Sequence, residues 1–207
     1  DAEGNYVIDP ATGQRLVVPD KKLGNILPDF ELGFQNNISY KGLNLSFLIH
    51  WKQGGEIYSQ TVSEVRFQGV GEETADRSTA YIDKGVIATE RDADGNIIST
   101  RPNDVAIRPD ILWSQYGRTE EGAVFDASYI KLREVRLSYQ LPQKLLDNSP
   151  FGNVEFGFEA RNLWLIMSKV PHIDPEVSFY GSSNYQGFEN RGTPSVRSYG
   201  FNVRFTI

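Results

Sequence analysis

The sequence predicts an all-β chain of antiparallel transmembrane β-barrel strands with long extracellular loops. Three observations carry that expectation. The last thirteen residues alternate in period two: Arg197, Tyr199, Phe201, Val203, Phe205 and Ile207 fall on one face, and Val196, Ser198, Gly200, Asn202, Arg204 and Thr206 on the other. Residues 29–52 read as two alternating arms joined by Lys41-Gly42, a hairpin whose arms are long enough for tilted membrane strands. The connections also alternate in length: 41–42 and 142–152 are short, whereas 53–127 and 166–194 are long. That sorting puts both long connections on one side, as in bacterial outer-membrane barrels. Alternation alone fits equally an antiparallel sheet whose polar face meets ordinary solvent.

Composition agrees with strands. The chain of 207 residues holds 12 Phe, 10 Tyr and 3 Trp against one Met, with 19 Gly, a balance that favours strands and turns over helices. No run approaches the roughly 18 apolar residues of a membrane helix, and the mean hydropathy of −0.41 is compatible with alternating strands. The net charge of −6, without a basic patch interleaved with aromatics, excludes nucleic acid as the expected partner. With no Cys, disulfides and thiolate metal sites are impossible. Asp1-Ala2-Glu3-Gly4 has neither the basic start nor the apolar stretch of a signal peptide, so an exported protein is expected to carry a preceding segment.

The elements follow in order. Residues 1–28 are expected as an outer loop, with short extended pieces at 5–9 and 14–18 around the turn Pro10-Ala11-Thr12-Gly13. Spanning strands are expected over 29–40 and 43–52, with Phe30, Leu32, Phe34, Leu45, Phe47 and Ile49 facing lipid. Tyr40 and Trp51 sit at opposite ends of their arms, where interfacial aromatics belong. The long loop 53–127 contains a further turn, Asp94-Gly95-Asn96. A strand over 128–141 changes phase near Arg133-Glu134, which predicts a β-bulge. Pro142 stops it, and a strand over 153–165 follows with Phe156 and Phe158 on its lipid face. Loop 166–194 leads to the closing strand 195–207, with Phe201, Val203 and Phe205 facing lipid.

Motifs for chemistry are sparse. His50 and His172 are the only histidines, and no metal-ligand spacing surrounds them, so no metal and no cofactor is expected. Asp92 to Asn96 echoes part of a calcium loop but lacks its later Glu, and reads as a plain turn. No nucleophile elbow, P-loop or dinucleotide fingerprint occurs, and no enzymatic activity is expected. Loop aromatics Trp113, Tyr116, Tyr180, Tyr185 and Phe188 are the candidates for substrate contact, against the plainer reading that they pack loop on loop.

Several stretches, in order, resemble SusC/RagA-type TonB-dependent transporters. They are Leu23-Gly24-Asn25-Ile26-Leu27-Pro28-Asp29-Phe30, Tyr40 to Phe47, Gly54-Gly55-Glu56-Ile57-Tyr58, Ala127 to Arg133, Leu137 to Pro142, Ala160-Arg161-Asn162-Leu163, Asp174-Pro175-Glu176-Val177 and Gly200 to Phe205. The family pattern usually stops at the aromatic matched by Phe205, and here Thr206-Ile207 extend it in phase. The resemblance implies the C-terminal part of a 22-stranded barrel in the bacterial outer membrane, with a periplasmic C-terminus. It further implies a plug and N-terminal strands elsewhere in the same transporter, a SusD-like surface lipoprotein as partner, and energy from TonB. Its substrates are oligosaccharides, glycan fragments or peptides. The pair Asp174/Glu176 has the residue types of a glycosidase, but the family carries it without hydrolysis, so it reads as structural. A soluble β-rich carbohydrate-binding module is the alternative.

Overall fold

The computed structural model describes residues 1–177 and 186–207. Its elements in chain order are β1 (Phe30–Tyr40), β2 (Leu43–Gln53), β3 (Glu56–Ser59), α1 (Gln60–Phe67), β4 (Tyr81–Ile82), β5 (Val86–Arg91), β6 (Ile97–Pro102), β7 (Ala106–Ile107), α2 (Pro109–Arg118), β8 (Val124–Asp126), β9 (Tyr129–Gln140), β10 (Asn153–Ser168), β11 (Phe188–Glu189) and β12 (Ser198–Thr206). The protein is mostly β. It divides into two compact units, one of residues 1–23 and 58–124 and the other of residues 24–57 and 125–207.

The second unit is built on a five-stranded antiparallel sheet in the order β1-β2-β9-β10-β12. Its register follows from the period-two pattern, because a slip of one residue would exchange its faces. Phe34 pairs with Ile49, Phe47 with Val135, Leu137 with Phe158 and Phe158 with Phe201. One face is therefore an apolar surface, interrupted on β1 by Asn36, which pairs with Phe47. Much of it is uncovered: Leu32, Phe34, Phe156, Phe201, Val203 and Phe205 are all exposed, Phe201 to 84%. Phe30 is exposed and stands edge-on to Trp51 at 5.1 Å, while Leu45, Phe47, Ile49 and Phe158 are half-buried by their neighbours. The opposite face pairs Glu31 with Lys52, Arg136 with Glu159 and Glu134 with Arg161, and Glu155 with Arg204.

The phase change in β9 is a bulge at Arg133. Leu48 pairs with Glu134 and Ile49 with Leu132, leaving Arg133 as the extra residue. Leu132 and Val135 thereby stay on the apolar face. Strand ends depart from the sequence reading. β10 runs to Ser168, three residues past Leu165, because it continues along β9 after register shifts near Asn162 and Ile166. β12 occupies only Ser198–Thr206 within 195–207, since β10–β12 pairing ends at Arg161↔Ser198. Asn162, with φ of 51°, turns the strand there and donates its side-chain amide to the Val196 carbonyl at 3.2 Å.

The first unit holds two helices that residue composition did not predict. α1 is capped by Ser59, whose hydroxyl accepts from the Val62 amide at 3.1 Å. α2 starts on Pro109 with Asp110 in its first turn, both suited to a helix N-terminus. The helices touch at Gly117, where an added Cβ would lie 2.5 Å from the Phe67 Cβ. The Asp-Gly-Asn turn closes the β5–β6 hairpin, with Asp92 accepting from the Asn96 amide at 2.8 Å. At the N-terminus the extended pieces meet in a single bridge, Ile8 with Arg15.

The β1–β2 turn generates a first test. Lys41 and Gly42 both have positive φ, 47° and 85°, as a two-residue hairpin of type I′ requires. A Cβ on Gly42 would lie 2.8 Å from the Gln140 carbonyl, whose residue donates back to the Gly42 carbonyl at 2.8 Å. Gly42→Ala is expected to destabilise the sheet by about 1–3 kcal/mol, read as a lower unfolding temperature.

Candidate functional site

Two places gather polar or aromatic side chains, one in each unit. In the sheet unit, the polar face ends in a cluster where β2 and β9 meet the strap after β10. Period two places Tyr129 and Lys131 on that face, and the bulge adds Arg133. His50 joins them from β2, paired directly with Lys131. The strap supplies the opposite charge. Lys131 Nζ donates to Asp174 Oδ2 at 2.7 Å and to Glu176 Oε2 at 2.8 Å. Tyr129 donates its hydroxyl to Glu176 Oε1 at 2.7 Å, and Arg133 also donates to that oxygen. Ser195 donates to Asp174, whose other oxygen accepts from the Glu176 amide at 3.0 Å.

The Lys131 side chain is only 3% exposed, so its charge depends on those two carboxylates. His50 Nδ1 lies 2.9 Å from both the Tyr129 hydroxyl and Arg133, and Nε2 lies 3.6 Å from Glu31. Beneath the strap, Val170 and Ile173 pack with Ile57, Ala127 and Phe125 in a small apolar core. Asp174 and Glu176 thus hold the strap to the wall. Sequence reasoning left Lys131 and Arg133 out of the candidates. The signal was available: cations at spacing two on one strand face, and carboxylates at spacing two in a loop, present matching combs.

In the other unit, a groove of about 1140 Å3 is lined by Tyr6, Arg15, Tyr116 and Glu121 and by the apolar run Leu16-Val17-Val18. Arg15 is its organising side chain. The guanidinium makes two hydrogen bonds with Asp83, at 2.6 and 2.9 Å. It also lies over the Tyr6 ring at 3.6 Å and the Tyr116 ring at 4.5 Å. Burial pulls the Arg15 pKa down, but Asp83 outweighs it and the pKa is raised. Burial pushes the Tyr116 phenol up to about 12, against the opposing pull of Arg15. Gln115 on α2 clasps the Arg15 backbone, accepting its amide at 3.0 Å and donating to its carbonyl at 2.7 Å.

The loop aromatics are scattered rather than gathered. Trp113 and Tyr116 lie on α2 with centroids 5.6 Å apart, and Tyr116 lines the groove. Phe188 is exposed in β11 of the sheet unit. Tyr180 and Tyr185 lie outside the described residues. Among the described residues no three His, Asp or Glu side chains are placed to hold a metal ion.

The sheet and its polar cluster define a class: a segment of an antiparallel wall with one apolar and one charged face. The chain is 28% identical over 213 residues to TonB-dependent receptor P3 of Formosa agariphila, covering 99% of this chain and 18% of that protein. It is 30% identical over 194 residues to TonB-dependent receptor P26 of the same organism, covering 88% and 18%. No protein-family model matches the chain. The fold is similar to the RagAB peptide importer in its "closed-closed" state, with a TM-score of 0.60, 18% identity and coverage of 96% of this chain and 22% of that one. Its "open-open" state gives a TM-score of 0.60 at 17% identity, covering 97% and 21%. The chain spans about a fifth of the length of these relatives. By sequence and fold it is similar to a segment of SusC/RagA-type TonB-dependent transporters, and its relatives by sequence are named as receptors, not enzymes.

Two outcomes follow from the cluster. Lys131→Met is expected to weaken the strap by roughly 3–5 kcal/mol, because it leaves Asp174 buried without its cation; hydrogen exchange at the Glu176 and Val177 amides measures it. Burial pushes the Asp174 carboxyl up, but hydrogen bonds from Lys131 and Ser195 overcome that and hold it below its ordinary 3.8. A depressed folded pKa stabilises fully above the ordinary value and is lost as pH falls through the depressed one. Cleavage of the 169–177 strap by an acid-active protease is therefore expected to rise as pH drops below about 3.8.

Proposed function

We propose that this chain forms part of the wall and outer loops of an outer-membrane barrel that imports nutrients with energy from TonB. The observation that carries the reading is the uncovered apolar face of the five-stranded sheet, backed by a charged face on the same strands. In hydrocarbon, every backbone group must be paired and outward side chains must be apolar. From Phe30 to Tyr40, ten residue steps give roughly 33 Å of strand, or about 25 Å of height at a tilt near 40°. That height matches the apolar band of an outer-membrane barrel.

On this reading Phe30, Leu32, Phe34, Leu45, Phe47, Ile49, Phe156, Phe158, Phe201, Val203 and Phe205 meet lipid, and the charged face lines the interior. Among the described residues, β1 and β12 pair on one side only. Unpaired edges are excluded from lipid, so further strands of a longer chain would complete the cylinder, 22 in all by the family resemblance. β12 ends opposite the start of β10, at the end of the sheet with the short connections. That end would be periplasmic, and residues 1–28, 53–127 and 166–194 would lie outside. A SusD-like lipoprotein would cover the outer loops, and the cargo would be glycan fragments or peptides, the second being what the RagAB neighbours are named for.

Phe158 sits at mid-strand between Leu137 and Phe201 and offers the decisive test. In the full transporter, Phe158→Arg would place a cation against acyl chains at a cost of about 2–4 kcal/mol. The expected result is a lower yield of heat-modifiable barrel in outer-membrane fractions, with Glu159→Gln, on the polar face, tolerated. Equal tolerance of both substitutions would defeat the reading.

A further inference from the structure

In the cluster around Lys131 the strap and the wall carry opposite charges, whereas at the start of the strap Lys169 pairs the other way, with Asp126 at 2.9 Å. Around Lys131 the wall contributes donors: the Tyr129 hydroxyl, the Lys131 ammonium and the Arg133 guanidinium. The strap contributes acceptors, the carboxylates of Asp174 and Glu176. The wall carboxylate Glu31 lies 3.6 Å from His50 Nε2, on the ring edge away from the Nδ1 that meets Tyr129 and Arg133. Lifting the strap would leave the Lys131 ammonium beside the Arg133 guanidinium without the two carboxylates that neutralise them, which favours entry of another anion. Strap movement and anion entry are therefore linked.

We propose that Tyr129, Lys131 and Arg133, oriented by His50, form a carboxylate-binding cradle that Asp174 and Glu176 occupy as an internal ligand. The matching external ligand bears closely spaced carboxylates, in an acidic peptide or a uronate-containing glycan. Planar Arg133 and the three-donor ammonium of Lys131 suit two carboxylates held side by side, the pattern that Asp174-Pro175-Glu176 presents. The strap is anchored by Val170 and Ile173 in the apolar core, by Lys169 on Asp126 at 2.9 Å and by the buried Pro175, while the cradle receives its two carboxylates. The cradle is a feature of the sheet face, and it stands whether or not the sheet proves to line an import channel.

Linkage makes the inference testable on the unaltered protein, because an external ligand that competes with the strap must loosen it. The full transporter in detergent is titrated with tri-glutamate, with a uronic acid trisaccharide, and with tri-glutamine as the neutral control. The expected result is faster hydrogen exchange at the Glu176 and Val177 amides with one or both acidic probes and no change with tri-glutamine. The arm that responds identifies the peptide or the glycan as the source of the carboxylates. Calorimetry on D174N/E176Q adds a second readout: the acidic probe should bind at least tenfold tighter than to the unaltered protein, and R133Q in that background should abolish the gain. Exchange that ignores saturating concentrations of both acidic probes would overturn the proposal. So would a folded D174N/E176Q variant that binds neither probe more tightly. Barrel formation in both cases is followed by heat-modifiable mobility, which also separates failure of the cradle from failure of the barrel assignment.

Discussion

One extra residue in β9 governs both faces of the larger sheet. A strand that kept strict alternation from Tyr129 to Gln140 would send either Ile130 and Leu132 or Val135 and Leu137 to the wrong side. The bulge at Arg133 absorbs the mismatch, and the adjacent strands bend their register around it at Leu48/Ile49 and Arg161/Trp164. The same insertion carries the Arg133 guanidinium to the strap. Continuity of the apolar face along β9 and assembly of the ion cluster are thus one structural event.

The two faces are held by different forces. On the apolar side, cross-strand contacts such as Phe34 with Phe47 at 6.1 Å and Phe158 with Phe201 at 5.1 Å align neighbouring strands but leave much of their surface uncovered. In water such a surface is a liability; against acyl chains it costs nothing. On the polar side, opposite charges stand across from each other along the strands, and a pair such as Arg161 and Glu134, 4.0 Å apart and 60% and 42% exposed, is individually weak. Lys131 is the exception, because burial turns its ion pairs into a requirement.

The loop unit shows how an extended connection becomes a structured body. Helix α2 carries Gln115 and Tyr116 to the N-terminal segment, where Arg15 is fixed by Asp83 and two rings. Composition rich in aromatics and glycine pointed to strands and turns there. The helices form nonetheless, because local signals outweigh the average: a serine cap, a proline at the first helical position, and Gly117 allowing close approach to Phe67.

Alternation, a local and repetitive property, was enough by itself to place the five strands of the larger sheet, which of their residues share a face, the Lys41-Gly42 turn and the bulge in β9. Strand ends were less legible, since β10 and β12 stop where their partners do rather than where their own pattern fades. The meeting of Lys131 and Arg133 with Asp174 and Glu176 spans more than forty residues of chain, and only the path of the strap over the sheet decided it. The union of Arg15 with Asp83 and Tyr116 is of the same kind. Periodicity records which way a side chain points; it holds no information on which distant segment arrives to meet it.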